Sequence, residues 1–536
     1  MFTFDPNHYP YASRRSAVYA KRGMVATSQP LAAQAGLAVL QAGGNAIDAA
    51  IATAAALTVV EPTANGIGGD AFALIWHKGE LHGLNASGAA PAAISIDKLH
   101  AAGHQSMPKY GALPITVPGT PGAWAAMAER FGKLPLERSM AGAIALAQDG
   151  YPVSPMVAFA WQQAHKLFRE EFKDLHFQSW FDTFNIDGRA PRAGEIWRSQ
   201  GHADTLRAIA ADNGASFYRG ALAEKIAAFV RSAGGYLECA DLAAYQPQWV
   251  APISSNYRGY DVWEIPPNGH GLVALLALNI LKGFDFSERD TLLTYHRQIE
   301  AIKLAYADGL AHIADSSHMR VAVEDLLSDA YADERRQLIG THAALPVAGQ
   351  PSRGGTVYLS TADDEGNMVS FIQSNYMGFG SGLVVPGTGI ALHNRGNNFT
   401  LDAAHPNCLA PGKRPYHTII PGFLTKDGKA VGPFGVMGGF MQPQGHVQMV
   451  MNTVDFGLNP QSSLDAPRWE WEGGNNVSIE HTSAEHLFRG LRGLGHEASW
   501  SANQLGFGRG QIIWRDQHGV LCGGTEPRTD GCVAAW

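Results

Sequence analysis

Apolar and polar positions along the chain divide it into long buried stretches broken by glycine and proline. Leu31 to Ala42 repeats at helical spacing and stops at Gly43-Gly44. Ser28 is the expected cap, with Pro30 in the first turn. Asn45 to Val60 is so rich in alanine that every face can pack closely, which predicts a core helix. Further helices are expected over Pro121–Phe131, Leu136–Asp149 and Leu272–Leu281. Another starts at Thr291, with Leu292, Leu293, Ile299, Ile302, Leu304 and Ala305 on one face. Ala71 to His77 reads as a strand, as does the series around Tyr257–Ile265. A helix around Val447–Val454 follows the glycines at 438 and 439. Residues 330–355 turn polar and are expected to form an exposed linker.

That linker runs into the most informative stretch. Ser352-Arg353-Gly354-Gly355 leads to a strand-like series, Thr356 to Asp363. A turn, Asp363-Asp364-Glu365-Gly366-Asn367, sends the chain back along Met368 to Gln373. The pattern alone predicts a hairpin.

Composition narrows the class. The chain has 536 residues, 46% hydrophobic and only 16% charged, which predicts a large, well-buried body. A net charge of −8 with no basic run argues against nucleic acid. The first ten residues lack the pattern of a signal peptide, and no apolar run is long enough to span a bilayer. The expectation is a cytoplasmic protein without membrane contact. Four scattered cysteines, Cys239, Cys408, Cys522 and Cys532, are expected to be free thiols. The loop Glu61 to Asp70 is glycine-rich but lacks phosphate-binding spacing and precedes its strand, so a nucleotide site is rejected. No HExxH appears among the 21 histidines, and neither metal nor organic cofactor is expected.

Thr356 offers a different chemistry. A threonine freed at a chain terminus carries its own base, an α-amine with a pKa of about 7.7–8.0. Cutting Gly355–Thr356 would create nucleophile and base together. Gly355 supplies a neighbour that tolerates distortion.

The chain resembles the gamma-glutamyltranspeptidase family of N-terminal nucleophile hydrolases. The resemblance rests on Gly43 to Ala50, Glu61-Pro62 through Gly68-Gly69, Val117 to Thr120, Asp241 to Tyr245 and Tyr257 to Tyr260. It continues through Ala305 to Asp308, Gly412 to Pro415, Gly438-Gly439 and Asp465 to Arg468. It implies an α+β, four-layer αββα sandwich and a precursor that cuts itself. Residues 1–355 would form the large fragment and 356–536 the small one. The two would stay associated, with a dimer of heterodimers as a further form.

By the same resemblance Thr356 is the nucleophile, Ser374 supports it, and Gly438 and Gly439 form the oxyanion hole. The departures concern substrate. The family's carboxylate-gripping arginine falls on Ser87 and its amine-holding acid on Asn398. Arg395, Tyr376, Tyr358 and His417-Thr418 also replace family residues. Residues 399–413 are too short for the lid loop of some members. The expected pocket is therefore small, with Arg395 either holding a substrate carboxylate or making a structural ion pair, and with Asn398, Tyr376, His417 and Thr418 shaping it. That pattern resembles the oxamate amidohydrolase branch, which implies hydrolysis of oxamate to oxalate and ammonia in purine breakdown. Alternatives are a gamma-glutamyl hydrolase or transpeptidase acting on glutathione, a cephalosporin-type acylase, or a scaffold that never matures.

Overall fold

The computed structural model describes residues 10–12, 15–346 and 355–536. Two seven-stranded antiparallel sheets form its centre. The first runs in the order Cys532–Ala535, Gly23–Thr27, Gly355–Asp363, Met368–Tyr376, Asp70–His77, Glu80–Ala86, Gln248–Val250. The second runs Val18–Ala20, Leu521–Thr525, Arg509–Arg515, Lys429–Met437, Gly422–Lys426, Tyr260–Glu264, Ile253–Tyr257. Each sheet draws strands from both sides of Gly355–Thr356.

The sheets face each other through close contacts that need small residues. A Cβ at Gly435 would lie 2.4 Å from the Tyr358 ring, and one at Gly432 would lie 3.1 Å from Met368 Cε. Helices cover the outer faces, which completes a four-layer αββα sandwich. Ala46–Val60 packs on the first sheet and is buried along its whole length. Gly271–Leu281, Leu292–His312 and Met441–Val454 cover the second.

The Ala46–Val60 helix shows how local sequence fixes an element. Asn45 accepts the Ile47 and Asp48 N–H groups, and Asp48 accepts the Asn45 N–H, a reciprocal cap worth about 0.5–2 kcal/mol. Gln373 Nε2 donates to Ala54 O at 2.8 Å and ties the helix to the strand Met368–Tyr376.

Some expectations need correction. The first helix spans Pro30–Gln41 and its cap is Gln29, without a side-chain bond. Ser28 Oγ instead donates to the buried Glu61 carboxylate. Polar composition at 330–355 concealed the helix Asp329–Arg336, in which Ser328 caps the N-terminus and Ala332 faces inward. Of the rest of that linker, Ala343 N–H bonds Leu494 O and Ala344 N–H bonds Glu300, so these residues are docked. Residues 347–354 lie outside the described residues. The helix after Gly438-Gly439 begins at Met441, with Phe440 as its cap, earlier than its periodicity indicates. All four cysteines are free.

Candidate active site

Thr356 is the second residue of the strand Gly355–Asp363 and is 1% exposed. Pairing is irregular between Gly355 and Val357: Gly355 faces Tyr376 while Val357 faces Gln373. This bulge turns the threonine out of the ladder at the strand's start. Its Oγ1 donates to Ser374 Oγ at 3.2 Å, and Ser374 Oγ also accepts the Tyr376 N–H at 2.7 Å. Tyr376 adopts φ +73°, a conformation that a bulky residue holds only when its surroundings impose it.

Gln442 Nε2 approaches Thr356 Oγ1 from the other side at 3.4 Å. Its amide is oriented because Oε1 accepts the Ile420 N–H at 2.8 Å. Gln442 lies in the first turn of Met441–Val454, so this helix start faces the threonine and favours developing negative charge there. Gly438 and Gly439 precede that turn at φ +140° and +61°. Their carbonyls accept the Met441 and Gln442 N–H groups and are thereby turned into the helix. A Cβ at Gly438 would lie 3.1 Å from Gly508 Cα.

Next to this group is a fully buried ionic cluster. Arg395 Nε and Nη2 donate to the two Asp70 oxygens at 3.2 and 3.3 Å, and Nη1 donates to Thr418 Oγ1 at 2.7 Å. The guanidinium lies 4.6 Å from the Tyr376 ring centre. His417 Nδ1 accepts the Ile419 N–H, so Nε2 carries the proton and donates to Asp70 at 2.6 Å. Burial alone would push the Asp70 carboxyl up. Arg395, His417 and His393 outweigh it and hold Asp70 well below the usual carboxylate range. Burial, then Arg395, lowers His417 to about 4, so it is neutral at pH 7. Asp70 pairs across the sheet with Ser374, which joins the ionic cluster to the threonine.

The structure thus gathers Thr356, Ser374, Tyr376, Arg395, His417 and Thr418, with Gly438 and Gly439 flanking through Gln442. It gives Arg395 a carboxylate partner inside the protein, Asp70. Asn398 is engaged too: its Nδ2 donates to Tyr416 O at 3.0 Å. Ser87 Oγ donates to Asn85 Oδ1 at 2.7 Å, within an amide cluster that includes Asn268. Sequence reasoning missed Asp70 and Gln442. The glycine loop before Asp70 enters the sequence reading as a rejected phosphate cradle and as part of the resemblance, which stops at Gly69, although an acid opening an apolar strand is itself a signal. Gln442 carries no such signal.

Elsewhere, His296, Glu300 and His496 come together, buried, although no sequence spacing announces them. The Lys303 ammonium sits 2.7 Å from Glu300 Oε1 and supplies its counter-charge.

The gamma-glutamyltranspeptidase description matches residues 32–536. The chain belongs to the gamma-glutamyltranspeptidase family. Among its relatives, the glutathione hydrolase-like YwrD proenzyme of Bacillus subtilis (strain 168) is 36% identical over 96% of this chain and 99% of the relative. The oxamate amidohydrolase proenzyme of Klebsiella pneumoniae is 36% identical over 96% and 98%. The crystal structure of a cephalosporin acylase from Bacillus halodurans superposes with a TM-score of 0.96 at 63% identity, covering 100% of this chain and 99% of that one. Membership makes the chain a family hydrolase of the N-terminal nucleophile type, and the relatives named as proenzymes accord with self-processing. Among the described residues no helix is long and apolar enough to cross a membrane.

Proposed function

We propose that this protein is a self-processing amidohydrolase whose Thr356 is freed by cleavage after Gly355. Thr356 Oγ attacks the substrate carbonyl, and the new α-amine takes the hydroxyl proton and passes it to the leaving amine. The Gly438 and Gly439 N–H groups hold the oxyanion, where loss of one donor typically costs about 10²–10³ in rate. Water then hydrolyses the ester on Thr356, releasing the acid and restoring the hydroxyl. Ser374 and Gln442 aim the nucleophile. No cofactor is required for this sequence of steps.

The observation that carries this reading is the burial of Thr356 Oγ1 between Ser374 and Gln442, directly after the glycine that precedes the cut. For the substrate, the carrying observation is the Asp70–Arg395 pair. Arg395 is paired with Asp70, and Ser87, which stands where the family has its carboxylate-gripping arginine, is bonded within the protein, so among the described residues the grip on an α-amino acid head is weakened. We therefore favour an acyl amide without that head, the class represented by the cephalosporin acylase relative. Oxamate is the second reading. It is supported by the oxamate amidohydrolase relative and by the Arg395 N–H groups not engaged with Asp70 or Thr418.

A substrate panel tests the choice. Matured protein is given a glutaryl amide of a β-lactam nucleus, oxamate and glutathione, and kcat/KM is compared. The glutaryl amide is expected to turn over fastest. Fastest turnover of oxamate selects the second reading, and fastest turnover of glutathione rejects both.

A further inference from the structure

The strands Gly422–Lys426 and Lys429–Met437 stay paired as far as Gly422, which faces Phe434. In the same register Ile420 and Val436 would face each other next, but the strands part there. Side chains of the helix Met441–Val454 take both N–H groups instead. Gln442 Oε1 accepts the Ile420 N–H at 2.8 Å, and His446 Nε2 accepts the Val436 N–H at 3.3 Å. Gln442 and His446 are four positions apart and so share one face of the helix.

His446 is fully buried, and its ring is held from the far side as well. Because Nε2 accepts, Nδ1 carries the proton and donates to Glu264 Oε1 at 2.6 Å. Glu264, also fully buried, ends the strand Tyr260–Glu264, and its Oε2 has no hydrogen-bond partner among the described residues. Burial pushes the Glu264 carboxyl up and lowers His446 to about 3, so His446 is neutral at pH 7 and Nε2 keeps its lone pair.

Val436 is gripped on two further sides. A Cβ at Gly445 would lie 2.9 Å from its side chain, and one at Gly508 would overlap its Cγ1. Gly438 lies two residues beyond Val436, on the short connection to the helix. His446 therefore ties the strand before Gly438-Gly439 to the helix after it.

We propose that His446, oriented by Glu264, is a positioning residue for the oxyanion hole. By holding the Val436 N–H it fixes where the Gly438 and Gly439 N–H groups point. This rests on the reading that those two groups hold the oxyanion.

His446→Asn and His446→Gln separate the two bonds of the ring. Asparagine keeps a donor near Glu264 but is too short to reach Val436, whereas glutamine puts a carbonyl oxygen where Nε2 stood. Both kcat and KM are measured on matured protein, with whichever of the glutaryl amide, oxamate and glutathione turns over fastest. His446→Asn should lower kcat about 10–10²-fold with KM within about twofold, the effect of slightly misplaced catalytic groups. His446→Gln should recover most of that loss. Added to Gly438→Ala, His446→Asn should cost little more, because both act on the same N–H groups. If a variant stays uncut, its rate of cutting after Gly355 replaces kcat in the same comparison.

The proposal is overturned if His446→Asn keeps the parental kcat, or if His446→Gln is as slow as His446→Asn. It is also overturned if Gly438→Ala is slow and the two losses multiply. Gly438→Ala with the parental kcat instead rejects the oxyanion reading, and the proposal with it. Should His446→Asn not fold, NMR of protein with isotope-labelled histidine nitrogens decides. The His446 signal, identified by its loss in His446→Gln, should show a proton on Nδ1 and a bare Nε2 from about pH 5 to about pH 8. A proton on Nε2 would remove the bond to Val436 and overturn the proposal.

Discussion

Asp70→Asn is the most direct test of how the ionic cluster is built. The substitution keeps the shape of the side chain but leaves the Arg395 guanidinium, 0% exposed, without a counter-charge. Removing one partner of a buried pair costs about 3–5 kcal/mol, and asparagine can still accept one N–H, so a loss of about 3 kcal/mol is expected. Arg395→Met should be milder. His417 stands 2.6 Å from Asp70 and can take a proton to replace the lost cation, which would raise its pKa above the present value of about 4. The double variant Asp70→Asn/Arg395→Met removes both charges, and an uncharged replacement of a buried pair is commonly neutral. The assay is thermal melting at pH 7 of all four proteins in the uncut Thr356→Ala background. The double variant should melt above Asp70→Asn. A double variant that melts lower still, by the sum of the two single losses, would show that the residues act independently and would refute this account.

Thr356→Ala should leave a single band near the full 57.3 kDa on a denaturing gel, without amide hydrolysis, whereas the parent should give a small fragment whose mass begins at Thr356. Gly438→Ala places a Cβ 3.1 Å from Gly508 Cα at a φ of +140°, and kcat should drop about 10²-fold with little change in KM. His202 is buried and lowered to about 4 by burial, so the unfolded chain gains its proton first as pH falls below about 6.5. Stability tied to His202 is therefore lost on acidification between those two values. His202→Gln should flatten the dependence of stability on pH by about 1.4 kcal/mol per pH unit near pH 5, measured by urea unfolding. An unchanged slope would mean that His202 is charged in the folded protein.

Much of the fold was legible because its signals are local. The alanine run after Asn45, the hairpin turn at Asp363–Asn367 and the long amphipathic helix after Thr291 each carry their own pattern. The helix Asp329–Arg336 escaped because its outward residues are nearly all polar and only Ala332 is buried. In the candidate site, the resemblance named Thr356, Ser374 and the glycine pair, and the structure brings Thr356 and Ser374 within 3.2 Å of each other. The partner of Arg395 could not be read in this way, because Asp70 lies 325 positions away in sequence. Charge left two meanings open at Arg395, a ligand grip or a structural ion pair, and the sequence could not name Asp70 as the partner. Gln442 was hidden for the same reason: its bond to Thr356 spans 86 positions.

The mixed parentage of the two sheets bears on what happens after the backbone is cut. Neither of the two proposed fragments would own a complete sheet, so separating them would break both. Once melted, however, the matured protein must find its way back by a two-body encounter, whereas the uncut chain needs only to close on itself. Recovery after heating should thus depend on concentration for a form cut after Gly355 and not for the uncut one, so that the proposed cleavage would change the order of the refolding reaction.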